Sequence, residues 1–526
     1  MRLRFLFVLL FLLALTALRW VLAANYELSP DEAYYTLWAQ HPDLSYYSKG
    51  PGVALTILAG TTLWGATEFG VRFFSPLLGL GTSLLVYFLA RRLYRESVAF
   101  WATIALNMVP IFNVGSIVMT IDPLSIFFWA AALVTFWLAL ERSPRFCWWW
   151  PFTGALIGAG FLAKYTNAFQ LFSALFFLAV MPKYRGELRR PGFYSLLLGF
   201  MPFLLPPLIW NQQHEWITLE HLSQRGGLDH PFGIHLSQTG QFLGAHLGVY
   251  SPLLFIGFLA AFFGSIPKAS QSGRVCFLLS FTWPLLATYF ILALNRAGEP
   301  NWTAPAFVSL GILAAAQWLR WSRSRKPAGR FCLAALGLGA VVTLFTLETD
   351  LVRILGYRWP YALDPSSRLR GWRSLTESVE AFRQGFEQKL GEKVFLIGNK
   401  YQTASMLAFY LKDKCLEGPG HPPVYIPESQ DIENEFSFWP RYDEFVDAPP
   451  PANRAESLFT EQAGINPFMN RSALFITDRP AGGPPQAIQG AFSRWELVAV
   501  FALERRNLPL RQLRIFACYQ YQTLPL

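Results

Sequence analysis

Charge is scarce in this chain. Asp, Glu, Lys and Arg make up 15% of its 526 residues, where a soluble protein carries about a quarter. That shortage, with 53% hydrophobic and 16% aromatic content, excludes an ordinary soluble globule and points to a polytopic membrane protein with interfacial aromatic belts. Cysteine is scarce as well. The five residues Cys147, Cys276, Cys332, Cys415 and Cys518 have no metal-ligand spacing, so neither a zinc site nor a disulfide framework is implied. Cys415 and Cys518 fall in the same C-terminal region, where a pairing stays open. Internal repeats and low-complexity tracts are absent by inspection.

The charge that is present has one dominant sign, 44 basic against 34 acidic residues, a net +10. Nucleic-acid binding is not the reason, because the basic residues gather in short loops between apolar runs, as on the inner side of a membrane. Arg91-Arg92-Leu93-Tyr94-Arg95, Arg142 to Arg145, Lys183 to Arg190, Lys268 to Arg274 and Arg320 to Arg330 are such loops. With Arg2 and Arg4 inside, about eleven spans are expected, near 4–24, 71–90, 98–117, 123–140, 148–163, 167–182, 193–210, 240–264, 275–294, 303–320 and 331–347. Residues 1–24 have the look of a secretory signal, but their length and the spans that follow favour an uncleaved first helix.

Long apolar runs stop near residue 350. Short β-rich runs at 394–397, 474–476, 496–500 and 513–517, with helical spacing at 373–389 and 402–412, predict a soluble α/β domain. The expected organisation is therefore an α-helical polytopic domain over 1–349 and an outer α/β domain over 350–526. Pro- and Gly-rich loops are expected around 417–423, 449–452 and 480–486.

Ionisable residues collect at the outer ends of the spans. The stretch Ser29-Pro30-Asp31-Glu32-Ala33-Tyr34-Tyr35 follows the first helix, and Lys49, Arg72, Asp122, Lys164, His214, Arg225, Arg296 and Glu299 fall on the same side. Each has a plain structural reading; Asp31 and Glu32 suit the first turn of an interfacial helix, where acidic residues are favoured. Together they suggest a cavity at the outer membrane edge, acidic on one wall and basic on the other, because ionisable groups at membrane depth are costly unless paired or lining a cavity. Lys and Arg donors there would stabilise a departing phosphate, and a carboxylate would accept the proton of an attacking hydroxyl.

The Asp31-Glu32 pair, Asp122, Leu162-Ala163-Lys164 and Asn301-Trp302-Thr303-Ala304-Pro305-Ala306 resemble the C-type glycosyltransferase superfamily over about residues 1–350. The likeness is to bacterial relatives of protein O-mannosyltransferases and of the lipid A aminoarabinose transferase. The resemblance implies a GT-C-like fold and a glycosyltransferase that takes one sugar from a polyprenyl-phosphate donor. The acceptor would lie on lipid A, another envelope glycan or a protein, with inversion at the periplasmic face of a bacterial inner membrane. It implies Asp31 as base, with Glu32 and Asp122 as further acidic catalytic residues, and Lys164 at the donor phosphate; Arg72 or Arg225 is a candidate to join Lys164 there. Tyr34, Tyr35, Lys49, His214 and Glu299 are candidates for substrate contact. A divalent metal is left open, since family members differ. The tail lacks the trefoil-like repeat of eukaryotic protein mannosyltransferases, which argues against that substrate. The rival reading, a lipid or glycolipid flippase, calls for charges near the bilayer midplane on broken, repeated helices.

Overall fold

A computed structural model describes residues 2–229, 231–324, 326–412, 414, 417–444 and 465–524. The chain divides into two units, Met1–Asn25 with Pro42–Gly356, and Tyr26–His41 with Tyr357–Leu526. Expected with the membrane domain, residues 26–41 thus pack with the tail.

The first unit is helical. Among the described residues seven helices are long and apolar enough to cross a bilayer, and a bent pair raises the number to eight. The first is α1 (Arg2–Asn25). Its apolar run contains Arg19, which is fully buried and donates to Asn107 Oδ1 at 2.9 Å and Asn113 Oδ1 at 2.6 Å. Those amides exist as partners because the expected span 98–117 is broken into Glu96–Leu106 and Pro110–Gly115. The break is local chemistry: Val109 precedes a proline and stays extended at φ −90°, ψ 121°. The chain of expected spans also includes 148–163 and 167–182, which fall on Trp149–Ala163, of 15 residues, and on an apolar helical stretch over Tyr165–Val180.

Expected as one span, 240–264 is the bent pair, Leu236–Tyr250 and Pro252–Lys268 meeting at 110°. Ser251 takes φ 67° at the corner, and Pro252, which lacks an N–H, opens the second arm. Four further helices of this unit are α3 (Phe74–Leu93), α4 (Ile121–Glu141), α5 (Ile217–Gly226) and α6 (Ala304–Ser324).

The second unit is α/β. Its sheet has the order β1-β2-β4-β3, with β1 (Phe395–Gly398) parallel to β2 (Ala473–Thr477), and β3 (Phe492–Arg505) and β4 (Leu508–Tyr521) forming an antiparallel hairpin. Arg506 and Asn507, both at positive φ, make its two-residue turn. Phe395, Phe475, Phe492, Phe516, Cys518 and Tyr521 fill the core. Cys518 is buried and free, while Cys415 and the loop 449–452 lie outside the described residues.

The helix α2 (Pro30–Gln40) packs in this unit against Tyr401–Tyr410. Its start is a capping box: the Glu32 N–H donates to Ser29 Oγ, and the Ser29 N–H to Glu32 Oε2 at 2.8 Å. Tyr34 lies between Tyr401 and Phe436, and its hydroxyl accepts the Glu435 N–H at 2.7 Å.

Candidate active site

Antiparallel packing brings the start of α4 to the end of the Trp149–Ala163 helix. Thr120 caps α4, which places Asp122 in the first turn, and the Lys164 backbone leaves the preceding helix extended at φ −150°. The Lys164 ammonium donates to Asp122 Oδ1 at 2.8 Å and to the Asn301 carbonyl at 3.4 Å, while the Asn301 amide donates to Asp122 Oδ2 at 2.6 Å. Three segments far apart in sequence are thus joined by charge-assisted bonds. The Lys164 side chain is 8% exposed and that of Asp122 16%, so the pair is shielded from water but reachable.

Asn301 is held in turn. It lies in the short turn Pro300–Thr303 before α6, where Thr303 Oγ1 meets His246 Nε2 at 2.8 Å and Tyr250 Oη at 3.3 Å. These two partners come from the arm before the Ser251 corner.

Lys164 also faces a cavity of about 270 Å³, whose wall includes Lys49, Arg225, Tyr289 and Trp302. Lys49 arrives there because Gly50 runs against the Leu162 backbone, where a Cβ would collide with the Leu162 carbonyl. Arg225 comes from the last turn of α5 and lies over Trp302, 5.4 Å from the ring centroid. Its helix is tied to the neighbouring 283–295 helix and the residue after it: Asn295 donates to the Gly227 carbonyl at 2.7 Å and Arg296 to the Gln224 carbonyl at 2.9 Å.

The cavity's sign can be read from a neighbour. Burial, followed by the charges of Lys49 and Arg225, lowers His221 to about 4. Its imidazole is neutral at physiological pH, and three cations face the cavity. Ile121, Phe169, Leu222 and Leu292 complete an apolar wall. A lipid-linked anion meets both requirements of such a space.

Other sequence candidates lie elsewhere. Arg72 is fully buried and donates to the Ala23 carbonyl at 3.2 Å, so it packs α1 and does not line the cavity. Tyr34 and Tyr35 are buried in the aromatic packing of the second unit. Glu32 takes part in the cap, and Asp31 in the same turn is exposed. His214 stacks on Trp210 with centroids 4.0 Å apart, and Glu299 is an exposed residue beginning the Pro300 turn; neither lines the cavity. Asn301, Trp302, Tyr289, His221 and His246 were not among the expected site residues. Only Asn301 and Trp302 carried a signal, through the Asn301 to Ala306 motif. Among the described residues no group of three or more His, Cys, Asp or Glu is placed to hold a metal ion.

A family described as dolichyl-phosphate-mannose-protein mannosyltransferase matches residues 48–210. ArnT from Cupriavidus metallidurans superposes over 97% of both chains with a TM-score of 0.60 at 15% identity. The chain has the C-type glycosyltransferase membrane fold. The lipid A galacturonosyltransferase RgtD of Rhizobium johnstonii is 28% identical over 409 residues, covering 77% of this chain and 82% of that protein. The undecaprenyl phosphate-alpha-4-amino-4-deoxy-L-arabinose arabinosyl transferase of Erwinia tasmaniensis is 27% identical over 303 residues, 52% of this chain and 50% of its own.

Proposed function

We propose that this glycosyltransferase moves one sugar from a polyprenyl-phosphate carrier to an acceptor on lipid A, another envelope glycan or a protein, with inversion. The reaction would take place at the periplasmic face of a bacterial inner membrane, with the second unit periplasmic. The observation that carries the reading is the cationic cavity beside the Asp122–Lys164–Asn301 junction. The names of RgtD and of the arabinosyl transferase supply lipid A and an undecaprenyl-phosphate sugar as the first acceptor and donor to try.

In this reaction an acceptor oxygen forms a bond to sugar C1 as the C1–O bond to phosphate breaks. The bonding pair leaves with the phosphate, which gains a negative charge. Lys164, Lys49 and Arg225 stabilise that charge, and Lys164 is oriented beforehand by Asp122 and Asn301, so little reorganisation is needed. Asp31, the exposed acid of its pair, would take the acceptor proton; its support is its exposure and its motif. No step is routed through a metal, since the described residues offer no ligand set.

The test is donor turnover by the purified full-length protein in lipid. Polyprenyl-phosphate sugars and total envelope lipids are supplied, and product mass is compared with Asp31→Asn and Lys164→Met. A gain of one sugar, lost in both variants, supports the reading. Full activity in Asp31→Asn removes that residue from the mechanism. Absence of turnover combined with lipid movement across the bilayer replaces the reading with a flippase.

A further inference from the structure

The first unit has a larger cavity than the one beside Lys164. A space of about 800 Å³ is lined by Tyr94 and Arg95, by Lys268 and Arg274, and by Arg320 and Arg323 on the last turns of α6. It lies at the other end of the helices. Arg92 pairs with Glu141 at 2.6 Å, joining the C-terminal end of α3 to that of α4, and Tyr94 follows directly. The Asp122 junction is at the start of α4, whose 21 residues rise about 30 Å. Likewise α6 has Asn301 just before its start and Arg320 and Arg323 near its end.

Five cations therefore line one cavity, and its lining contains no carboxylate. Among the described residues none of the five is in an ion pair; Lys268 has a 3.4 Å contact with Gln317. The buried Tyr94 hydroxyl has no hydrogen-bond partner there either. Val98, Val275, Leu313 and Ala316 give the same space an apolar wall. On another face of α6, Trp101, Trp318 and Leu333 border a second, almost wholly apolar crevice of about 260 Å³. Basic residues that only fix orientation in a membrane need no cavity. Here they surround one, and an amphiphile with a phosphate head matches its two kinds of wall.

We propose that this cavity binds the phosphodiester headgroup of an anionic membrane lipid, with its chains along the apolar wall. The inference is independent of the transferase reading. It assigns Arg274, Arg320 and Arg323 to the phosphate and the Tyr94 hydroxyl as an added donor.

Native mass spectrometry of the full-length protein in a neutral detergent tests it. Cardiolipin, phosphatidylglycerol, phosphatidylcholine and inorganic phosphate are titrated separately. Retained cardiolipin or phosphatidylglycerol is expected, with apparent affinity falling at least tenfold in Arg274→Gln/Arg320→Gln/Arg323→Gln. Arg185→Gln/Arg189→Gln, in a basic turn outside the cavity, should bind like the unaltered protein. If the triple variant fails to fold, Arg320→Gln alone is expected to weaken binding by about threefold. Equal retention of phosphatidylcholine, or unchanged affinity in the folded cavity variants, overturns the proposal. Displacement of the lipid by inorganic phosphate at equal concentration overturns the lipid and leaves a site for free phosphate.

Discussion

Lys164 is a buried ammonium whose position depends on one carboxylate. Removing Asp122 alone strands the charge, and breaking such a pair costs about 3–5 kcal/mol. Asp122→Leu should therefore lower the melting temperature more than the double variant Asp122→Leu/Lys164→Met, as thermal unfolding would show. Equal losses would mean that the pair is not coupled. A second residue-scale effect is in the other unit. Burial raises Glu428 to about 8, against the pull of Arg441 and with Asp443 and Glu444 adding to the rise. Arg441 serves Asp443 through two bonds of 2.8 and 2.7 Å and reaches Glu428 only at 3.4 Å. The folded state thus holds a proton that an unfolded glutamate releases above about 4.5. Its stabilising contribution is complete below that pH and is lost as pH rises through about 8. Glu428→Gln should raise the melting temperature at pH 8.5 and change it little at pH 4.5.

The backbone of Gly50 fixes where Lys49 enters the cavity, so Gly50→Ala should lower donor turnover at least tenfold while the protein still purifies as a folded species. At the start of α2, Ser29→Ala removes half of the capping box and should cost about 1 kcal/mol, read by faster hydrogen exchange over 30–40. Periodicity and basic loops made most elements legible: seven expected spans and all four strands of the second unit fall where apolar runs predict them. What was not legible depended on partners. The break at Val109 had a visible proline, but nothing in the sequence announced that Arg19 would need Asn107 and Asn113. Of the expected site residues, Lys164 meets Asp122 and shares a cavity wall with Arg225. The burial of Arg72 and Tyr34 and the contact of His246 with Thr303 are set by tertiary packing, which the sequence pattern does not display.

At the scale of the whole molecule, the second unit is discontinuous in sequence. Ending the chain after residue 356 would deprive α2 of Tyr401 and Phe436 and expose Tyr34, Leu37 and Trp38. Limited proteolysis of such a truncated protein should cut within 26–41, whereas the full-length protein should resist there. The same arrangement sets a schedule for synthesis. Tyr34 leaves the ribosome 401 residues before its partner Glu435. At about 5–20 residues per second this is an interval of roughly 20–80 s. Throughout that interval the nascent chain carries an unburied aromatic helix while the membrane helices are inserted, so a segment translated much later completes the fold of an early one.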